Sequence, residues 1–489
     1  MLEALAVYVG ASVLVYVAII IYRHKVRSQL RHVPGPWYCA LSSLPYMVLF
    51  ALGIQLEWLR RLHDQYGPLV RVAPDILSAR SVEAARTILG THKFVKGAMY
   101  NNCAFTGHPN LLSVTEPVLY KAKHRMIAPM FSKVAIDEME SIVIAAGAEP
   151  LVERLQRHAD TGDIVNVHQL FCYMAFDVVS DVVFGRNIRL LEDDNGGDNM
   201  LTWTLSMLLL QLAQIPLGER VASWIFPRLA IQRKKVIKFG LDAIRERLGT
   251  ETVRVDALQR FLAAARPSVG EEVAAPAATS ELELAGELIL QLQAGTDTTA
   301  NCCTWTIHAL LEHPKALERL RAELDAAIPD ASAPITHKML KDLAYLNAVL
   351  NESLRLYPTA TADAHRVVPE SGAKLCGHFL PAKINVFASQ YLLNRWEQLW
   401  PQPDAFQPER WLVEDEVLNE QKHAFFPFST GARACVGRHL AQLELRVAIA
   451  SLVRRFNLER VPGDDMTPRC IFALTPRGQA LNIRVTHRH

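Results

Sequence analysis

Cys435 stands in the run Phe428-Ser429-Thr430-Gly431-Ala432-Arg433-Ala434-Cys435-Val436-Gly437. Two glycines bracket it, just ahead of a stretch whose apolar stripe (Leu440, Leu443, Val447, Ala450) predicts a helix. A thiol at that place meets unpaired backbone N–H groups and the positive end of a helix dipole. Both favour thiolate over thiol. Arg433, two residues earlier, adds a cation. A thiolate held this way suits a metal. One cysteine cannot build a tetrahedral zinc site, and the eight cysteines (39, 103, 172, 302, 303, 376, 435, 470) include no Cys-x-x-Cys pair. That spacing also argues against a secreted disulfide framework and for free, mostly buried thiols in a reducing compartment.

The second unusual run is Ala294-Gly295-Thr296-Asp297-Thr298-Thr299, in the middle of an apolar segment. Threonine is β-branched, and aspartate competes for backbone hydrogen bonds, so both are poor choices inside a buried helix. A carboxylate there needs a partner or a task. The small pair Ala294-Gly295 lets something bulky approach the backbone, and a flat cofactor fits that face. A lone cysteine can serve as the single axial ligand of a haem iron. Two weaker runs are Glu352-Ser353-Leu354-Arg355, whose ends share a helix face, and Pro408-Glu409-Arg410-Trp411. Together they offer one carboxylate and two guanidiniums, a set suited to fixing register.

These residues must be positioned by elements that the pattern also predicts. Residues 38–62 look amphipathic and helical, and 68–79 alternates around Pro74-Asp75 as a hairpin does. Helical patterns dominate from Val82 to about Ala265, and an Ala/Pro/Ser-rich stretch, 267–280, reads as an exposed loop. A central helix is predicted over Glu281–His313, stopped by Pro314, and another over Leu343–Tyr357, stopped by Pro358. Short strand-like pieces occupy 364–390, and 396–434 carries little periodic signal.

Half of the 489 residues are apolar, which excludes intrinsic disorder. Lys and Arg total 52 against 50 Asp and Glu, a net of +2, so a nucleic-acid partner is not expected. Four of those positive charges, Arg23, Lys25, Arg27 and Arg31, follow the uncharged run Ala4–Tyr22. As a helix of 19 residues that run reaches roughly 28 Å, close to the ~30 Å of a hydrocarbon core. The basic cluster after it places the following chain on the cytoplasmic side; a cleaved signal peptide is the alternative. Val33-Pro34-Gly35-Pro36-Trp37 is a stiff extended hinge. The division expected is a transmembrane anchor at 1–22, a basic and Pro-Gly-Pro hinge at 23–37, and a catalytic domain at 38–489.

In this order and spacing the four motifs resemble the cytochrome P-450 family of haem-thiolate monooxygenases, over nearly the whole chain. The cysteine loop and the Gly-x-Asp-Thr helix are its most specific elements. The resemblance implies a mainly α fold with a smaller β-rich lobe near the N-terminal half, one large domain after the anchor. It makes Cys435 the axial ligand of haem b (iron protoporphyrin IX), with Phe428 packed beside the thiolate and Gly437 in the same loop. Arg433 and Arg366 resemble the residues that pair with haem propionates. Tyr120 and His124 stand where relatives often have Trp or His and then Arg for a propionate, with Arg125 adjacent. Asp297 and Thr298 resemble the acid–alcohol pair that delivers protons during oxygen cleavage. Glu352, Arg355 and Arg410 resemble the structural triad behind the cysteine loop.

The activity implied is insertion of one atom of O₂ into a small apolar substrate. No Gly-rich dinucleotide fingerprint follows a strand, so electrons must come from outside. A membrane-anchored member implies an NADPH-dependent flavoprotein reductase on the cytoplasmic face of the endoplasmic reticulum. Arg438, Arg446 and Lys422 are candidates to receive it. Pocket walls are expected at about 97–115, 202–222, 290–294, 359–364 and 471–476, with Phe105, Leu292, Ala360 and Phe472 making an apolar lining and Asp363 and His108 polar points in it. The overall pattern is similar to fungal members, many of which act in secondary metabolism, others on steroids, fatty acids or xenobiotics. An O₂-independent haem-thiolate isomerase and a non-catalytic haem sensor are the other classes, and the intact Asp297-Thr298 pair weighs against both.

Overall fold

The computed structural model describes residues 28–192, 200–250, 254–265, 280–330, 333–361, 364–413 and 416–488. The anchor at 1–22, most of its basic flank, the loop at 267–279 and Asp363 therefore lie outside the described residues.

The long helix is the axis of the molecule. It runs over Glu281–Glu312 (α7, with the other labelled helices given below). Ser280 starts it by accepting from the Glu283 N–H, and Glu281 and Glu283 complement the dipole of its first turn. Most of its length is buried, because helices pack on it from several sides. These are α3 (Val167–Phe184), α6 (Pro227–Leu248), α8 (Ala344–Leu356) and α9 (Arg438–Arg455). Among the described residues α3 is the one helix long and apolar enough to cross a membrane, and it is a core helix, almost wholly buried. Helices α1 (Leu44–Leu52), α2 (Pro117–Ile127), α4 (Met200–Leu217) and α5 (Glu219–Ile225) lie around this body.

The β-rich lobe joins strands from the first hundred residues to strands within 366–388. Its five-stranded sheet has the order β1 (Leu69–Ala73), β2 (Ile76–Ala79), β5 (Asn385–Ala388), β4 (Arg366–Val367), β3 (Val95–Lys96). The hairpin β1–β2 is antiparallel, β2 pairs β5 in parallel, and Lys96 on β3 stands directly opposite Arg366 on β4. Two apolar clusters flank this sheet, one with Leu69, Leu77 and Val386, the other with Val70, Val72 and Phe387. Every residue of β1 is consequently buried, so the alternation marks two packed faces rather than one wet face. The hinge lies on this lobe, with the Arg71 N–H donating to Pro34 O at 2.8 Å.

Candidate active site

The loop before α9 is shaped by backbone geometry. Ser429 and Gly431 take left-handed φ angles of 61° and 73°. A Cβ on Gly431 would stand 2.5 Å from Leu89 O, so only glycine lets the loop close on the helix at Val82–Gly90. The Cys435 N–H then donates to Phe428 O at 2.8 Å. Cys435, Phe428, Arg433 and Gly437 all line one cavity of about 410 Å³. The space at Gly437 is less demanding, since a Cβ there would meet Cys435 Sγ at 3.9 Å, an ordinary contact.

The Cys435 sulfur opens onto this cavity, yet the cavity is walled by protein. Burial pushes its pKa up, against the pull of the Gly437 N–H and of Arg438. Arg433 is not among the groups that act on the sulfur. That guanidinium instead donates to Val114 O at 3.0 Å and lies 3.3 Å over the Tyr120 ring.

Across the cavity runs the middle of α7, with Ala294, Gly295, Thr298 and Thr299 in its wall. Thr298 Oγ1 donates to Ala294 O at 2.7 Å, which leaves its lone pairs as acceptors. Gly295 serves a different purpose from the one its type suggested. A Cβ there would come within 2.6 Å of Val179 Cγ2 on α3, so this glycine permits close helix packing. Asp297 is absent from the cavity wall. Its carboxyl acts electrostatically on Cys172 of α3, and burial pushes its own pKa up to about 6.

Three cations converge at one side of the cavity: Lys96, Arg366 and Arg433. Lys96 Nζ donates to Leu112 O at 2.6 Å, and Arg366 Nη1 to His365 O at 3.0 Å. Among the described residues none of the three pairs with a carboxylate. Burial, then Arg433 and Arg366, push the Lys96 pKa well down, and burial lowers Arg433 to about 10. Like charges opposite one another across two strands repel. The arrangement is satisfied by an anion in the cavity, so it fits a haem, whose two propionates would neutralise it beside a lone thiol ligand.

Other expected site residues are placed differently. Tyr120 faces away from the cavity wall, with its hydroxyl donating to Ala432 O at 2.6 Å and its ring beneath Arg433. His124 packs tilted beside it, its pKa lowered by burial and by Arg433, and Arg125 is exposed on α2. Phe105 and Leu292 are core residues, Phe472 is outside the cavity wall and His108 is exposed, while Ala360 does line the cavity. Arg446 is tied internally to Asn347 Oδ1 at 2.9 Å, whereas Arg438 and Lys422 are exposed.

The structure does bring Glu352, Arg355 and Arg410 together. Arg355 pairs in bidentate fashion with Glu352 at 2.8 and 2.9 Å and gives its remaining donors to Asn394 O, Pro403 O and Ala405 O. Arg410 and the Trp411 indole complete the carboxylate's shell at 3.0 and 2.9 Å. All five Arg355 donors are thereby used in a fully buried site.

Two residues that sequence reasoning passed over also belong to this wall. Lys96 is one. Glu444 is the other, with one oxygen that finds no hydrogen-bond partner and a pKa pushed well up by burial. Its signal was an acid inside the apolar stripe of α9.

Comparison with known proteins agrees with this geometry. The Cytochrome P450 family model matches residues 34–482. The chain belongs to the cytochrome P450 family. It is therefore an oxidoreductase that incorporates oxygen from O₂ and works with a haem-thiolate cofactor. A tryprostatin B 6-hydroxylase of Aspergillus fumigatus is 29% identical over 461 residues, 92% of this chain and 78% of that one. The cytochrome P450 monooxygenase lcsI of Purpureocillium lilacinum is 30% identical, covering 91% of this chain and 87% of its own. Among solved structures, the haem domain of cytochrome P450DA superposes with a TM-score of 0.79 at 21% identity, over 94% of this P450 and 98% of that chain.

Proposed function

We propose that this P450 hydroxylates a small, mainly apolar molecule of fungal secondary metabolism, with haem b in the cavity between α7 and the cysteine loop. Relatives named as fungal monooxygenases support the metabolic setting. One observation carries the reading: Cys435, Thr298 and the carboxylate-free cations Lys96, Arg366 and Arg433 line the same cavity. When bound, haem supplies the redox chemistry that activates O₂, and a thiolate ligand favours O–O cleavage.

The residues of the chain do the rest. Cys435 would hold the haem iron as its thiolate ligand. Arg366, Arg433 and Lys96 would hold the propionates. Thr298 Oγ1, already donating to Ala294 O, accepts a hydrogen bond from a water and holds it at the cavity wall. Asp297, with a pKa of about 6, keeps a proton part of the time near neutral pH and would be a proton source behind the wall, next to Thr298. The Glu352–Arg355–Arg410 cluster fixes the chain behind the cysteine loop and does no chemistry.

Electrons come from an NADPH-dependent flavoprotein reductase that meets Arg438 and Lys422. The anchor at 1–22 and the hinge at 23–37 tether a catalytic domain at 38–489 to the cytoplasmic face of the endoplasmic reticulum. The test is Cys435→Ser. Wild-type holoprotein, reduced under CO, is expected to give the long-wavelength thiolate Soret band and the variant to lack it, with monooxygenase activity abolished. A folded, haem-loaded wild type without that band overturns the reading.

A further inference from the structure

Away from the cysteine, a buried ion pair sits beside a turn that reaches the cavity wall. Glu287 is on α7 and only 1% exposed. It lies 11 residues before Thr298, about three helical turns, and so on the same face of the helix. Its Oε1 is 3.0 Å from Lys123 Nζ of α2, itself 4% exposed. Its Oε2 accepts from the Leu111 N–H at 3.0 Å. Burial works against the Lys123 charge, but Glu287 and Glu283 together outweigh it, and the Lys123 pKa is raised. The preceding Gly286 leaves room for Thr106, since a Cβ there would stand 2.7 Å from its Oγ1.

Leu111 belongs to the turn at 110–114, and that turn is held by the same groups that face the cavity. Lys96 donates to Leu112 O and Arg433 to Val114 O, while Asn110 Oδ1 accepts from the Leu112 and Ser113 N–H groups. Leu112 of this turn lines the cavity. Lys96 and Arg433 hold the turn from the cofactor side, and the Leu111 N–H to Glu287 is its tie to α7. Lys123 links the pair to α2, one turn from Tyr120, the residue under Arg433.

We propose that Glu287 is a positioning residue that fixes the 110–114 turn as a wall of the substrate cavity and so sets the bulk of substrate this P450 admits. The proposal rests on the P450 reading above. The decisive element is the acceptor on residue 287, which Lys123 meets from the α2 side.

Two double variants separate acceptor from charge. K123M/E287Q removes both charges and keeps an oxygen for the Leu111 N–H. K123M/E287M removes the charges and the acceptor at similar volume. Both are made as haem-loaded protein and compared by the spectral shifts that imidazole, a small probe, and phenylimidazole, a bulky one, give on binding. We expect the Gln variant to bind both within about twofold of wild type. In the Met variant imidazole stays within about twofold, while the phenylimidazole Kd shifts by at least about fivefold, the lower end of what one buried donor losing its partner costs. An unchanged ratio of the two Kd values in the Met variant overturns the proposal, and so does an equal change in the Gln variant. Should the Met variant fail to hold haem, hydrogen exchange on wild-type holoprotein decides. The Leu111 amide is expected to be protected although it lies in a turn, and rapid exchange there overturns the proposal. A wild type lacking both the thiolate CO band and an imidazole shift marks failure of the P450 reading itself.

Discussion

Thr298 and Asp297 are adjacent in sequence but face different neighbours, one the cavity and the other α3. Their roles are therefore separable. Thr298→Ala removes the hydroxyl proposed to hold water at the wall, and leaves Cys435 and the three cations untouched. Haem binding and NADPH consumption should persist, with more peroxide and less product. A change of ~1.4 kcal/mol between those branches moves their ratio about tenfold. Asp297→Asn should slow turnover overall, because it removes the ionisable group behind the wall. NADPH, peroxide and product measured together decide it, and an unchanged peroxide-to-product ratio in folded Thr298→Ala removes Thr298 from the mechanism. At this scale the sequence was legible where chemistry is local. The Cys435 loop carries its turn residues, its cation and its helix start within ten positions. Lys96 was not legible, because the partners that give it meaning, Arg366 and Arg433, arrive from far along the chain. Tyr120 shows the same limit: its position matched a propionate anchor, but whether its hydroxyl reaches the cavity or Ala432 O depends on the packing of α2.

Secondary structure was readable in proportion to its length. The helix at 281–312 carries its cap and its stop in the sequence, and the hairpin at 69–79 its turn. The helix at Glu416–Ala424 went unseen within an aperiodic stretch, and strands of two residues such as β3 and β4 have no period to detect. The joint between the helix at Gln55–Tyr66 and β2 shows how such elements are locked together. His63 reaches Gly67 O through Nδ1 and Ser78 Oγ through Nε2, each at 2.8 Å. A carbonyl can only accept, so Nδ1 carries the proton and Nε2 accepts from the serine. Burial lowers the His63 pKa to about 4 from 6.5, with Arg80 adding to it and the Gly67 carbonyl and Asp64 opposing. Because the folded value is the lower one, the neutral ring contributes stability fully above about pH 6.5, and that contribution is lost as pH falls towards 4. The loss is on the order of 3 kcal/mol. His63→Gln should thus be less stable than wild type at pH 7, by about 1–2 kcal/mol. The gap should close or reverse near pH 4. Urea unfolding of both proteins across that range measures it, and a constant gap means that His63 does not stay neutral when buried.

At the scale of the whole molecule, charge is balanced and the distribution of apolar surface sets the partner. The net charge of +2 gives no general pull towards an acidic surface, so the proposed attachment to a lipid bilayer rests on apolar contacts. The run at 4–22 is the proposed anchor. The described body exposes apolar side chains around α5, where Trp224 is 81% exposed and Val221, Ile225 and Phe226 are exposed beside it. Contiguous exposed apolar residues form a candidate contact surface for a membrane. Helix α4, which leads into them, buries Met207 and Leu210 and exposes Leu205 and Leu209, so one face belongs to the core and the other to the surroundings. Protein lacking residues 1–22 should therefore keep haem and its thiolate CO band, yet still bind phospholipid vesicles weakly. Replacing Trp224, Ile225 and Phe226 together by serine in that shortened protein should reduce vesicle binding at least about tenfold. Each of these side chains is worth ~1.5–3 kcal/mol when fully buried, and partial insertion of three exceeds the ~1.4 kcal/mol that tenfold requires. Co-sedimentation with neutral vesicles checks both statements. Binding that is unaltered by the triple change would make α5 an ordinary wet surface and leave the anchor to do all the tethering.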